Sequence, residues 1–184
     1  MTIRNLWSLN VDETITAEKI KSELGKEYEV FFPINSQLKD IDLLLQNPQT
    51  GKSKSVQVKG SRTYTPRNKK KKVERLGWGH DVKTSWNQVK DTSIFSPTNK
   101  IDFFIFVRHE EELSVRKRRI KQDYLVIPIK DFRKITKNEK KKRKTGHYHY
   151  VFVVKGKKAV DILDTKLGKP IDLSKYLNNF DLLK

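Results

Sequence analysis

The chain contains no cysteine, one methionine, eight glycines and six prolines in 184 residues. Without cysteine there are no disulfides, no thiolate metal sites and no cysteine nucleophile, so any metal must sit on oxygen or imidazole. Long hydrophobic runs are also missing. The longest, Ile101 to Val107 and Tyr148 to Val154, reach only strand length, far short of the ~20 residues that span a bilayer. No membrane partner is expected. The first residues, MTIRNLWSLN, lack the continuous apolar core of an export signal, so the expected location is cytoplasmic. Acidic residues are outnumbered, 22 against 40 Lys plus Arg, leaving a formal charge of +18.

What is present suits one folded domain spanning residues 1–184. Hydrophobic residues make up 35% of the chain, well above the composition of a disordered one. A charge of +18 on so small a body attracts polyanions and speeds their encounter, and nucleic acid is the commonest such partner. The cations cluster in three runs: Arg67, Lys69, Lys70, Lys71 and Lys72; Arg116, Lys117, Arg118 and Arg119; and Lys140 to Lys144. These are the expected phosphate contacts, which position a nucleic acid without reading its sequence.

Thr16 is placed to cap a helix through Leu24, with Ala17, Ile20 and Leu24 on one face and Gly25 as its stop. Tyr28 to Phe32 and Asp40 to Gln46 read as strands. Ser53 to Lys59 alternates polar and apolar and forms a hairpin with the latter strand. Residues 60 to 80 hold a basic run among glycines and Pro66 and read as a long mobile loop. Asp81 is the expected cap of a second helix with Val82, Trp86 and Val89 on its buried face, leaving Lys83, Asn87 and Lys90 free to meet phosphates. Ile101 to Val107 reads as a strand buried on both faces, Asp123 to Ile129 as one ending near Pro128, and Tyr148 to Val154 as a late strand. A short helix is expected to start at Asp172 or Ser174 and run through Tyr176. The order predicts an α/β fold, a mixed central β-sheet flanked by helices.

If the hairpin connection is Pro48 to Gly51, Asn47 faces Lys52, Asp42 lies opposite Gln57 and Asp40 opposite Lys59. Asp42, Gln57 and Lys59 then share one sheet face, with opposed Cβ atoms about 5 Å apart. Ile41, Leu43, Leu45, Val56 and Val58 take the other face and enter the core. A carboxylate and an amide oxygen suit a hard divalent cation. Mg²⁺, with Mn²⁺ as a substitute, held by Asp42 and Gln57 beside the Lys59 ammonium is a set that cleaves phosphodiesters. The alternative is a cross-strand ion pair between Asp42 and Lys59, bridged by Gln57.

The stretch AEKIKSELGKEYEVFFPINSQLKDIDLLLQNPQTGKSKSVQVKGS, residues 17 to 61, resembles the PD-(D/E)XK nuclease superfamily, in which a helix precedes a strand bearing Asp and a strand bearing Asp/Glu/Gln-x-Lys. The resemblance implies a restriction-endonuclease-like αβββαβ core. Asp42 matches the motif aspartate, Gln57 the variable metal-ligand position and Lys59 the motif lysine. Glu18 matches the acidic residue that many subfamilies carry on the first helix as a further ligand, with Glu23 its rival. Most relatives have Asp or Glu where Gln57 stands, so this chain's metal site carries one negative charge fewer. The implied activity is Mg²⁺-dependent cleavage of DNA, by a homodimer or larger symmetric assembly where both strands are cut. The competing expectations are a catalytically inactive nucleic-acid-binding module on the same fold and an RNA-binding protein. His147 and His149, two apart on a strand, put both rings on one face, where they either chelate a metal or decorate the surface. Trp78 reads as a stacking or anchoring residue and Trp86 as core.

Overall fold

A computed structural model describes residues 11–33, 40–64, 77–78, 82–113 and 118–184, the side chains of residues 112, 113 and 118 excepted. Helix α1 is Val11–Leu24. Asp12 and Glu13 in its first turn oppose the helix dipole, and Gly25 ends it in the left-handed region at φ +60°. Thr16 does not cap the helix as expected. It is buried more than a turn inside, where its hydroxyl donates to the Asp12 carbonyl at 2.6 Å.

Strands β1 (Glu29–Phe31), β2 (Leu43–Gln46) and β3 (Ser53–Tyr64) form an antiparallel meander. The turn is the expected one: the Asn47 N–H donates to the Lys52 carbonyl at 2.9 Å, and Gly51, at φ +67°, donates to the Asn47 carbonyl. Register runs from Leu43 opposite Val56 to Gln46 opposite Ser53. Strand β5 (Phe103–Leu113) then lies parallel to β3, from Val56 beside Phe103 to Arg62 beside His109, and β6 (Arg118–Pro128) completes this limb antiparallel to β5. The limb order is therefore β1-β2-β3-β5-β6. Beyond Arg62, β3 pairs through Thr63 and Tyr64 with β4 (Thr84–Lys90). Strands β7 (His147–Lys155), β8 (Lys158–Asp161) and β9 (Ile171–Asp172) continue from β4 as an antiparallel second limb.

Helices cover both faces. On one, Ala17, Ile20 and Leu24 of α1 pack on Leu43, Leu45, Val56, Val58, Ile105 and Val107. On the other, α2 (Asp91–Phe95) and α3 (Ile129–Glu139) flank an aromatic core in which the Phe132 ring lies 4.7 Å from Phe104, 5.5 Å from Phe106 and 5.2 Å from Tyr150. The mixed α/β class is as expected. So is β5: Phe104 and Phe106 enter one core while Phe103, Ile105 and Val107 enter the other. No helix of the described residues is long and apolar enough to cross a membrane.

Three readings are corrected. The helix expected from Asp81 is strand β4. Ser85, Asn87 and Val89 are buried while Trp86, Gln88 and Lys90 are exposed, a period of two imposed by seven residues of pairing with β7. Trp86 is therefore at the surface rather than in the core. The stretch after Pro128, expected to end in strand, is α3; the short terminal helix is where it was expected, as a 3-10 turn at Ser174–Tyr176. The basic run at Lys140 is substantially structural. Lys140 is buried in an ion pair with Asp161, its ammonium 4.6 Å from the centre of the Tyr150 ring, while Lys142 pairs with Asp91 and Arg143 with Asp164. Burial raises the Asp161 pKa, against the pull of the Lys140 charge.

Gly60 is fixed by a close approach. A Cβ there would lie 1.7 Å from Asp12 Oδ2, and the other oxygen of that carboxylate sits 2.6 Å from His109 Nε2. Gly60→Ala should therefore force Asp12 off His109 and cost about 1–3 kcal/mol, read as a lower urea midpoint at unchanged slope. In an Asp12→Ala background the same substitution should cost less than half as much. Equal costs in the two backgrounds would contradict the contact.

Candidate functional site

The β2–β3 ladder stops one residue short of the expected Asp42–Gln57 pair. The Asp42 N–H donates to the Val56 carbonyl at 2.9 Å, as a bulge allows. The Val58 N–H, which a regular ladder would give to a β2 carbonyl, instead donates to Asp42 Oδ2 at 2.7 Å. Asp40 precedes this at φ +70°. The kink sends Ile41 into the aromatic core rather than beside Leu43 and Leu45, correcting the expected face for that residue.

Since β4 takes up pairing only at Thr63 and Tyr64, the edge of β3 between Val58 and Arg62 is left open, a notch between β2 and β4. The Trp86 N–H reaches across it to Ser61 Oγ at 3.2 Å. At this notch the two sheet faces communicate. Lys59 from one face and Gln88, Lys90 and His147 from the other line a single cleft of about 390 Å³ together with Asp40 and Ser93.

Val56 and Val58 face α1, so Gln57 and Lys59 extend from the opposite face. Gln57 is only 2% exposed. Its Nε2 donates to Asp40 Oδ1 at 3.3 Å, and because a carboxylate only accepts, this fixes the amide orientation. Oε1 is then buried and has no hydrogen-bond partner among the described residues. Such an orphan costs about 1–3 kcal/mol, a penalty a bound cation or donor would remove. The oxygens of Asp40, Asp42 and Gln57 are the donor set a hard divalent ion takes. Imidazole and carboxylate alone do not make a site: among the described residues no group of three His, Cys, Asp or Glu is gathered.

Glu18 is not brought to these residues. It is exposed on α1, which covers the other sheet face, and its charge is felt by Tyr124 on β6, whose pKa is raised first by burial and then by Asp12 and Glu18. Glu23 pairs with Lys19. The α1 carboxylates that turn inward are Glu13, which is buried, and Asp12, against Gly60. Arg67, Lys69, Lys70, Lys71, Lys72, Arg116 and Lys117 lie outside the described residues, as does the side chain of Arg118. Arg119 is exposed on β6.

Sequence reasoning undervalued Asp40, Lys90 and His147. The signal lay in Gln88-Val89-Lys90, a repeat of the Gln-x-Lys pattern assigned to a helix, which in fact sits on a strand lining the same cleft as Lys59. His147 and His149 do emerge on one face of β7. His147 Nδ1 lies 2.8 Å from the Thr145 carbonyl, and the His149 ring meets Trp86 edge-on at 5.3 Å. Burial, followed by the Arg143 charge, lowers the His149 pKa and favours its neutral form.

No family model, curated protein or solved structure matches the chain.

Asp42 serves both the backbone and the notch. Asp42→Ala strips the Val58 N–H of its acceptor and should lower stability by about 1–3 kcal/mol, whereas Asp42→Asn keeps an oxygen there and should cost less than half that. Urea titrations in EDTA compare them, and equal losses would show that the bond does not hold the notch.

Proposed function

We propose that the chain is a metal-dependent endonuclease of the restriction-endonuclease-like, PD-(D/E)XK class, hydrolysing phosphodiester bonds of DNA. The observation that carries this reading is Gln57 Oε1, buried without a partner among the described residues at the place where the segment leading into β2 brings Asp40 and Asp42 to β3. The β1-β2-β3-β5 order supports it, with a helix before the meander and a parallel β3–β5 pair after it.

Asp42 and Gln57 would hold the ion, and Asp40 orients the Gln57 amide so that its oxygen is available. Asp40 also restores the negative charge lost by having Gln at this position. Glu18 is left out of the set, because α1 packs on the other face. Bound Mg²⁺ or Mn²⁺ supplies Lewis acidity and an activated water. Lys59, on the same strand face as Gln57, orients the nucleophile and offsets charge developing on the phosphate oxygens. Lys90, across the cleft, neutralises the backbone. Cutting both strands takes two such sites, so a symmetric dimer or larger assembly is part of the proposal.

A second reading, a binding module on the same fold without cleavage, is favoured by one observation: the Asp42 carboxylate already serves as a backbone acceptor. Nicking of supercoiled plasmid separates the two. With Mg²⁺ or Mn²⁺ the wild type should cut. Asp42→Asn and Lys59→Ala should each lose at least ~100-fold in rate, and Glu18→Gln should stay within about 3-fold, well short of that loss. A wild type that cuts no duplex, single-stranded or junction DNA in either metal leaves the binding module. Loss on Glu18→Gln equal to that on Asp42→Asn would overturn the ligand assignment.

A further inference from the structure

Beyond the notch, one face of the sheet is buried at Thr84, Val151 and Val153 but exposes side chains around them. Tyr64 stands directly opposite Thr84, so Tyr64 and Arg62 of β3 share a face with Trp86, Gln88 and Lys90 of β4. Pairing of Gln88 with His149 and Lys90 with His147 extends that face onto β7. Arg62 and Gln88 are exposed, and Tyr64 and Trp86 are each 41% exposed, a costly place for two large rings in a chain that otherwise buries most of its aromatics. Trp86 does not lie loose: its backbone N–H is tied to Ser61, and the indole and the His149 ring meet in a T at 82°. None of these seven residues is acidic, and Arg62 and Lys90 bring positive charge. The face runs into the cleft, since Gln88, Lys90 and His147 line both.

From this juxtaposition we infer that the Tyr64–Trp86 face is a stacking platform for unpaired bases of single-stranded DNA whose backbone enters the cleft at Lys59 and Lys90. The rings occupy diagonal cross-strand positions, about 7–8 Å apart. That separation lets two splayed bases of one strand each meet a ring. Trp86 stands two residues from Gln88 at the cleft wall, about 7 Å along the strand, so a phosphate in the cleft and a base on the indole belong to the same short stretch of chain. Stacking of this kind tolerates any base, because every base has a π-face, and a strand paired in a duplex cannot offer it. The inference takes the DNA partner from the reading above and narrows it to an unpaired segment beside the reacting phosphate.

The test is binding without cleavage: fluorescence anisotropy of labelled dT20, of an abasic 20-mer with the same phosphates, and of a 20-base-pair duplex, all in EDTA. Trp86→Ala and Tyr64→Ala should each weaken dT20 by about 5- to 100-fold and leave the abasic chain and the duplex within about 2-fold, below any stacking loss. Trp86→Phe should recover most of the affinity and guards against a misfolded alanine variant. The slope of log affinity against log salt should be unchanged, since no phosphate contact is removed. Wild type failing to bind dT20, or alanine variants that weaken all three ligands alike or none, would overturn the platform. A protein that nicks plasmid yet ignores both rings keeps the endonuclease reading and loses this one. A protein that cuts nothing but binds dT20 through the rings does the reverse.

Discussion

One hydrogen bond from backbone to side chain organises the candidate site. The Val58 N–H is satisfied by the Asp42 carboxylate and not by a β2 carbonyl, so β2 parts from β3 at the residue between Gln57 and Lys59. A buried peptide N–H must find an acceptor, and a side chain that supplies it frees the strand to turn away. From that substitution follow the left-handed Asp40, the inward Ile41, the open β3 edge and the cleft through which the two sheet faces meet. Gln57 lies beside the breach with one amide atom committed to Asp40 and the other without a partner among the described residues. Buried polar groups are seldom left this way, Ser85 Oγ and Arg108 Nε being the other two such side-chain atoms among the described residues, and sites that bind ligands are where such costs are tolerated.

Much of this was legible in the residues. The Asn47 to Lys52 turn chemistry fixes the hairpin register, and alternation then separates Val56 and Val58 from Gln57 and Lys59. Register reasoning fails at Asp42 because it assumes that backbone pairs with backbone, whereas a short carboxylate at the end of a strand competes for the same N–H. Strand β4 was misread for a related reason. Val82, Trp86 and Val89 fit a helical stripe, but the long-range pairing with β7, invisible to local spacing, selects the alternation of Ser85, Asn87 and Val89. Helix α3 was hidden by Pro128, which ends β6 and directly precedes the helix, a position where its fixed φ and missing N–H cost nothing.

Charge tells a mixed story. A formal charge of +18 sets up a field that attracts polyanions, yet a run of lysines in sequence is no guarantee of a binding surface. Lys140 is buried against Asp161 and Tyr150, and Arg143 holds Asp164. The cations that bear on the candidate site are arranged differently: Lys59 and Arg62 on β3 and Lys90 on β4, assembled by strand pairing from two separate parts of the sequence. The same pairing sets Tyr64 and Trp86 on one face and leads that face into the cleft. The cleft lined by Lys59 and Lys90 lies next to an aromatic sheet surface and forms a continuous track with it, and the notch lies at its end.

The central claim is that Asp42 and Gln57 face a common divalent ion beside Lys59. A crystal soaked in Mn²⁺ and measured at the manganese absorption edge tests it directly. The account predicts one anomalous peak in the notch, within coordination distance of a carboxylate oxygen of Asp42 and of Gln57 Oε1, and its loss in Gln57→Met. A peak at the His147 and His149 rings alone, or an ordered notch that takes up no manganese, would contradict it.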